Sequence, residues 1–252
     1  MSEHRDRIIQ KAASKFRIIS TDFDGTIYSE FEPEPITREI EILLKNLQSG
    51  GASWIINTGR DLSSLMESIG RSGIHARPDF LVVVEREIYE LKDSVYVPWE
   101  AWNQECARAH RELFSHVRKD LLEIIHWISS RFDATIYEDP FSPMCLVGAD
   151  NEDTNQIQIY LEEYCQQVAD LTVVRNDVYI RFSHRSYNKG TALSAIARQL
   201  GIAPSDIVAA GDHLNDLPML RREHAHWLIA PANAVEEVKT DRKSTRLNSS
   251  HG

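Results

Sequence analysis

The stretch FRIISTDFDGT, Phe16 to Thr26, passes in one step from an apolar run to two carboxylates, a glycine and a hydroxyl. The run Phe16 to Thr21 predicts a strand that ends at Asp22. In open α/β sheets, ligands bind beyond the carboxyl ends of the strands, so Asp22 and Asp24 leave the strand where chemistry is normally placed. Gly25 allows the sharp turn that brings the pair together. Two such carboxylates can divide labour: one holds a hard cation and attacks as nucleophile, the other moves a proton. A polar turn after a strand is the plainer account. A calcium loop of the EF-hand type fails, because its twelfth position, counted from Asp22, is Pro33 and not a glutamate.

Working outward, apolar runs of strand length alternate with amphipathic helical stretches, the pattern of a parallel sheet covered on both faces. A helix is expected over Thr37 to Gln48, with Ile40, Leu43, Leu44 and Leu47 at helical spacing and Gly50-Gly51 as its stop. Strands follow at Ser53 to Asn57 and Phe80 to Val84, with a helix between them from Leu62 to Ile69. Near the other end come a helix Gly190 to Leu200, a strand Ile207 to Ala210, a helix Leu214 to Arg221 and a strand His226 to Ile229. Between these halves the texture changes to a long helix (Gln104 to Ser130), two strands (Ala134 to Tyr137, Met144 to Val147), a helix (Thr154 to Val168) and two more strands (Leu171 to Val174, Val178 to Phe182). The expected organisation is therefore a Rossmann-like α/β core built from residues 1–85 and 186–240, with an α+β domain inserted at 86–185.

Three further polar groups fall at strand ends or helix starts of that core. Thr58 and Gly59 follow the second strand in INTGR, where a hydroxyl and backbone N–H groups can cradle a phosphate; Thr-Gly is also a common helix entry. Lys189, in YNKGT, can neutralise a phosphoryl oxygen or simply be solvated. GDHLND, Gly211 to Asp216, offers two carboxylates and an amide, a plausible Mg²⁺ site, although Asp212 or Asn215 can equally cap the next helix. What strengthens all four is their convergence on one edge of one sheet.

DFDGT, the threonine of INTGR, the lysine of NKG and GDHLND resemble, in order, the four motifs of the haloacid dehalogenase superfamily, over about residues 16–240. The resemblance implies Asp22 as nucleophile and Asp24 as general acid and then base. It implies Mg²⁺ on Asp22, the main-chain carbonyl of Asp24 and Asp212, with Asp216 in support. Thr58, Gly59, Lys189 and Asn215 would grip the phosphoryl group, with Arg60 as a substrate contact. The insertion between the second and third motifs is similar to the C2-type cap of subfamily IIB sugar phosphatases acting on sucrose phosphate or mannosylglycerate phosphate. The implied activity is Mg²⁺-dependent hydrolysis of a small phosphorylated metabolite, favouring a sugar phosphate, through an aspartyl-phosphate. A phosphomutase or a non-catalytic phosphometabolite sensor are the alternatives. One departure concerns Glu85-Arg86-Glu87, which stands where many relatives carry Asn-Gly.

The bulk composition fits this reading. In 252 residues, 42% are hydrophobic and 26% charged, an ordinary globular balance. A net charge of −10 argues against nucleic acid or anionic membrane as partners, and leaves oligomeric state open. Three widely spaced cysteines suggest reduced thiols in a cytoplasm. The N-terminal stretch MSEHRDRIIQKAASK is too charged to be expected as a signal peptide, and no apolar run reaches membrane-span length. The ten histidines form no HExxH pattern. Trp99 and Trp102 are expected to pack at a hinge, and Arg175, Arg181 and Arg185 to line a solvated strand face. Residues 241–252, with the Asn248 sequon, resemble translated sequencing adapter and are expected to be a non-native tail.

Overall fold

The computed structural model describes residues 15–240, so the expected tail lies outside the described residues. These residues divide into two compact units. One is formed by the chain up to Glu100 and again from Lys189, the other by Ala101–Asn188.

The first unit is built on a seven-stranded sheet. Its strands are β1 (Ile18–Thr21), β2 (Ser53–Asn57), β3 (Phe80–Val83), β4 (Glu87–Lys92), β5 (Val95–Pro98), β10 (Ile207–Ala210) and β11 (Trp227–Ile229), in spatial order β11-β10-β1-β2-β3-β4-β5. From β11 to β3 all neighbours run parallel; β4 and β5 are added antiparallel. β1, β3 and β10 are buried at every position, as expected of strands covered on both faces. Helices α1 (Arg38–Ser49), α2 (Leu62–Ser72) and α6 (Lys189–Gln199) also belong to this unit. α2 is sharply defined: Asp61 accepts a hydrogen bond from the Ser64 N–H at its start, and Gly73 ends it in the left-handed conformation at φ 68°. Strand order reverses at β1, which lies between β2 and β10. That switch point is where the carboxyl ends of two strands open onto a shared crevice.

The second unit has a four-stranded antiparallel sheet, β6 (Ala134–Asp139), β7 (Ser142–Gly148), β9 (Tyr179–His184) and β8 (Leu171–Asn176), in that order. Helices α3 (Glu100–Val117), α4 (Leu121–Ser129) and α5 (Asn151–Cys165) accompany it. Val117, Ile128, Leu146, Leu161 and Phe182 join one apolar cluster, and Trp127 stacks on Tyr160 with centroids 3.8 Å apart. Among the described residues no helix is long and apolar enough to cross a membrane.

Four expectations are corrected. Residues 87–98 extend the large sheet as a hairpin, so the expected boundary at residue 86 sits inside the first unit. The expected helix Gln104 to Ser130 is two helices, broken at Arg118–Asp120, although the apolar spacing from Val117 to Leu121 runs straight through the break. The expected helix Leu214 to Arg221 is a single 3₁₀ turn, Leu214–Asp216; Pro218 has no N–H to continue it. Finally, Arg175 and Arg181 are 8% and 3% exposed and are no solvated face. Trp99 packs edge-on against Phe80, and Trp102 against Tyr187.

Candidate active site

The loops leaving β1, β2, β3 and β10 and the start of α6 bring the expected residues together within the first unit. Lys189, the first residue of α6, is fully buried and donates to Asp22 Oδ1 at 2.7 Å and to Asp216 Oδ1 at 2.6 Å. Its main-chain oxygen accepts from Asn57 Nδ2 at 2.9 Å, fixing the start of α6 on the end of β2. Burial alone would lower the pKa of Lys189. The negative charges of Asp216, Asp22 and Glu85 outweigh it and raise that pKa above the ordinary lysine value.

The carboxylates occupy distinct places around this cation. Asp22 is buried, and burial pushes its pKa well up, with Asp216 and Asp212 adding to the rise and Lys189 opposing it. Asp216 is also fully buried. Its second oxygen accepts from the N–H groups of Asp212 and His213, both at 2.9 Å, so the motif's own backbone holds it. Asp212 is half-buried and accepts from Thr26 Oγ1 at 2.8 Å; burial raises its pKa and the threonine bond opposes the rise. A Cβ on Gly25 (φ 72°) would come within 2.4 Å of Asp212 Oδ2, so the close approach of the two loops requires glycine there.

Asp22, Asp212 and Asp216 can each present an oxygen within 4.8 Å of the others. A hard cation with about 2.1 Å to each oxygen needs ligands roughly 3–4 Å apart. The donor set, all carboxylate oxygens, also suits Mg²⁺. The side chain of Asp24 is elsewhere. It receives both Arg60 Nε and Arg60 Nη2 at 2.7 Å, a two-pronged ion pair. That bond to Asp24 raises the Arg60 pKa further. Arg60 is steadied by Ser68 Oγ at 2.7 Å and Ser64 Oγ at 3.3 Å on α2.

The second motif differs from the simple cradle expected of it. The Thr58 N–H is spent on Val82 O (2.8 Å), and the Arg60 N–H on Thr58 Oγ1 (3.2 Å). What Thr58 can still give an incoming anion is its hydroxyl proton. Asn215 Nδ2 donates to Glu85 Oε1 at 3.0 Å, and Gly59 lies against this pair. The sequence marks Glu85 only as part of a departure from the Asn-Gly of many relatives. It is buried at the end of β3, on the same sheet edge as the other motifs, and that shared position was the available signal.

A profile of the haloacid dehalogenase-like hydrolases matches residues 91–251, well over half of the chain and including Lys189 and the 211–216 loop. The chain belongs to the haloacid dehalogenase-like hydrolase family. A phosphatase of Bacillus subtilis, YwpJ, is 26% identical over 281 residues, covering 94% of this chain and 96% of its own length. A phosphoglycolate phosphatase of Methanopyrus kandleri is 41% identical over 69 residues, 27% of this chain and 29% of that protein. The chain thus spans less than a third of that relative and nearly the whole of YwpJ. Among solved structures, the sucrose-phosphatase of Synechocystis sp. PCC6803, in complex with sucrose and phosphate, superposes with a TM-score of 0.67 at 18% identity, covering 91% of this chain and 87% of that one. At that identity the likeness speaks for the haloacid dehalogenase-like fold alone.

Proposed function

We propose that the protein is a Mg²⁺-dependent phosphomonoesterase that transfers the phosphoryl group of a small metabolite to Asp22 and then to water. The observation that carries this reading is the buried Lys189 ammonium bridging Asp22 and Asp216, with Asp212 in ligating reach, at the strand-order switch of a parallel sheet. Such a concentration of carboxylates on one cation is costly to bury. It suits a site that gathers a metal and a phosphate.

In the first step an Asp22 carboxylate oxygen attacks phosphorus, the bond from phosphorus to the ester oxygen breaks, and that oxygen takes a proton from Asp24. In the second step Asp24 accepts a proton from water as the water attacks the aspartyl-phosphate; inorganic phosphate leaves and Asp22 is restored. Asp22, the main-chain carbonyl of Asp24 and Asp212 would hold Mg²⁺, with Asp216 behind them, and the bound ion would neutralise charge on the phosphoryl oxygens. Lys189 adds fixed positive charge, and Thr58 and Asn215 supply neutral donors. Both Asp24 oxygens accept from Arg60, so Asp24 can carry the transferred proton only once that pair opens. Arg60 is then free to face the leaving group. The inserted unit, Ala101–Asn188, is proposed as the cap that selects that leaving group. Relatives named for phosphoglycolate and sucrose phosphate support small phosphate monoesters as the class, and the resemblance to capped sugar phosphatases favours sugar phosphates. The three buried free thiols, Cys106, Cys145 and Cys165, support a reducing, cytoplasmic setting.

Phosphate release from a panel of sugar phosphates, phosphoglycolate and aryl phosphates, with Mg²⁺ or EDTA, tests this reading. Wild type is expected to release phosphate only with the metal, and Asp22→Asn at least about a thousandfold more slowly. Normal turnover by Asp22→Asn would remove the nucleophile from the scheme. An isomeric sugar phosphate without free phosphate would make the enzyme a mutase.

A further inference from the structure

The turn after β3 is unusual. Val84 and Glu85 both stand in the left-handed region, at φ 45° and 66°, which residues with side chains rarely adopt, a β-branched valine least of all. The chain is held there by two bonds to the loop after β2: Val84 N–H to Arg60 O at 2.8 Å and Glu85 N–H to Thr58 O at 2.9 Å. This strained turn sends the Glu85 side chain inward, where the residue is 6% exposed. Its Oε1 accepts from Asn215 Nδ2 at 3.0 Å, and a Cβ on Gly59 would lie 3.4 Å from that oxygen. Its negative charge also reaches Lys189, where it helps to raise the lysine's pKa.

An ionised carboxylate accepts hydrogen bonds and cannot donate them, whereas an asparagine amide can present either its amino group or its carbonyl. Facing Glu85, Asn215 must present the amino group. One of its two N–H bonds is thereby spent and the direction of the other is set. We propose that Glu85 is a positioning residue, which locks the Asn215 amide so that its remaining N–H meets an anionic phosphoryl oxygen. This rests on the phosphomonoesterase reading above and deepens it. Glu85 need not touch the substrate; it prevents the amide from turning an oxygen toward an anion.

Calorimetric binding of inorganic phosphate, in the presence of Mg²⁺, to the full chain and to Glu85→Ala, Asn215→Ala, the double variant and Glu85→Gln tests the coupling. Each single alanine variant is expected to weaken binding about tenfold. The double variant should be no weaker than about twofold beyond Asn215→Ala, because both changes remove one interaction. Glu85→Gln, which can donate as well as accept, should fall between wild type and Glu85→Ala. In turnover the losses should appear in KM before kcat. Losses that multiply in the double variant, or phosphate binding by Glu85→Ala equal to wild type, would overturn the proposal. Should Glu85→Ala fail to fold, the same cycle run with Glu85→Gln decides it by the same criterion. A wild type that binds no phosphate removes the parent reading and this one together, whereas a binding-competent wild type with an unaffected Glu85 variant removes only this one.

Discussion

Lys189 in the first unit and Arg175 in the second are both buried cations, yet they are held by acceptors of different kinds. Lys189 faces the carboxylates of Asp22 and Asp216, with Asp212 beside them. Arg175 donates to the neutral side chains of Asn151 and Gln158, at 2.7 and 2.9 Å, to Asn155, and to the main-chain oxygen of Asp177 at 2.7 Å. Amide acceptors tie β8 to α5 and repel nothing when the cation is absent. Clustered carboxylates do repel, and a cation or a proton must offset that repulsion when they are buried. Burial of a charge is therefore a poor marker of function by itself. The sign and number of the groups around it carry more information.

Removing each cation should break the comparison in a different place. Lys189→Met leaves Asp22 and Asp216 buried without their counter-charge, and is expected to cost about 3–5 kcal/mol of folding stability together with essentially all turnover. Urea unfolding and phosphate release on the same preparation would measure both. Added Mg²⁺ should recover part of the stability, since it supplies charge to the same oxygens, but little of the activity. A variant that keeps wild-type turnover would show that the Lys189 charge has no part in the chemistry.

Arg175→Met should show a smaller effect of another type. It leaves amide acceptors without a donor in a partly solvated corner, expected to cost about 1–3 kcal/mol. Turnover per folded molecule should hold, measured below the unfolding midpoint of the variant, and Mg²⁺ should not rescue its stability. Loss of turnover without loss of stability would mean that the second unit's Arg175 cluster serves the reaction, and the contrast with Lys189 would collapse.

The same distinction explains what the amino-acid sequence made legible. β2 and β10 match the expected runs Ser53 to Asn57 and Ile207 to Ala210, because a strand buried on both faces must be continuously apolar and leaves a clear trace. The hairpin of β4 and β5 left none. EREIYELKDSVYVP mixes charge with apolar residues at half-buried positions on a sheet edge, and nothing in that pattern separates it from loop. In the site, the three motifs after β1, β2 and β10 were readable because each pairs an apolar run with an abrupt polar turn, while Lys189 was readable only as a cation at a helix start. The pairing of Asp24 with Arg60 was not, since it depends on where two flexible side chains meet across separate loops. Nor was the inward turn of Glu85, because valine and glutamate are among the last residues expected at positive φ.

A third basic side chain, His224, sharpens the comparison from the weak end. It belongs to the first unit but stands outside the carboxylate cluster. Its Nδ1 lies 2.7 Å from Ser194 Oγ and its ring covers Gly190, where a Cβ would come within 2.6 Å of it. Burial lowers its pKa below the ordinary value of 6.5; Glu223 opposes this and Arg221 adds to it. Here, unlike at Lys189, burial wins over the neighbouring charges and the neutral form is favoured. The unfolded chain therefore binds a proton more readily than the folded one. Stability should decline as pH falls from 6.5 through the lower folded value, and should be unaffected by this group above 6.5. Comparing thermal midpoints of wild type and His224→Gln between pH 7.5 and 5 isolates the effect, because other titrating groups are shared. The wild type is expected to lose more over that range, by less than either cation substitution costs. Parallel curves would mean that His224 keeps its ordinary pKa, and that desolvation at the start of α6 is weaker than its contacts with Ser194 and Gly190 imply.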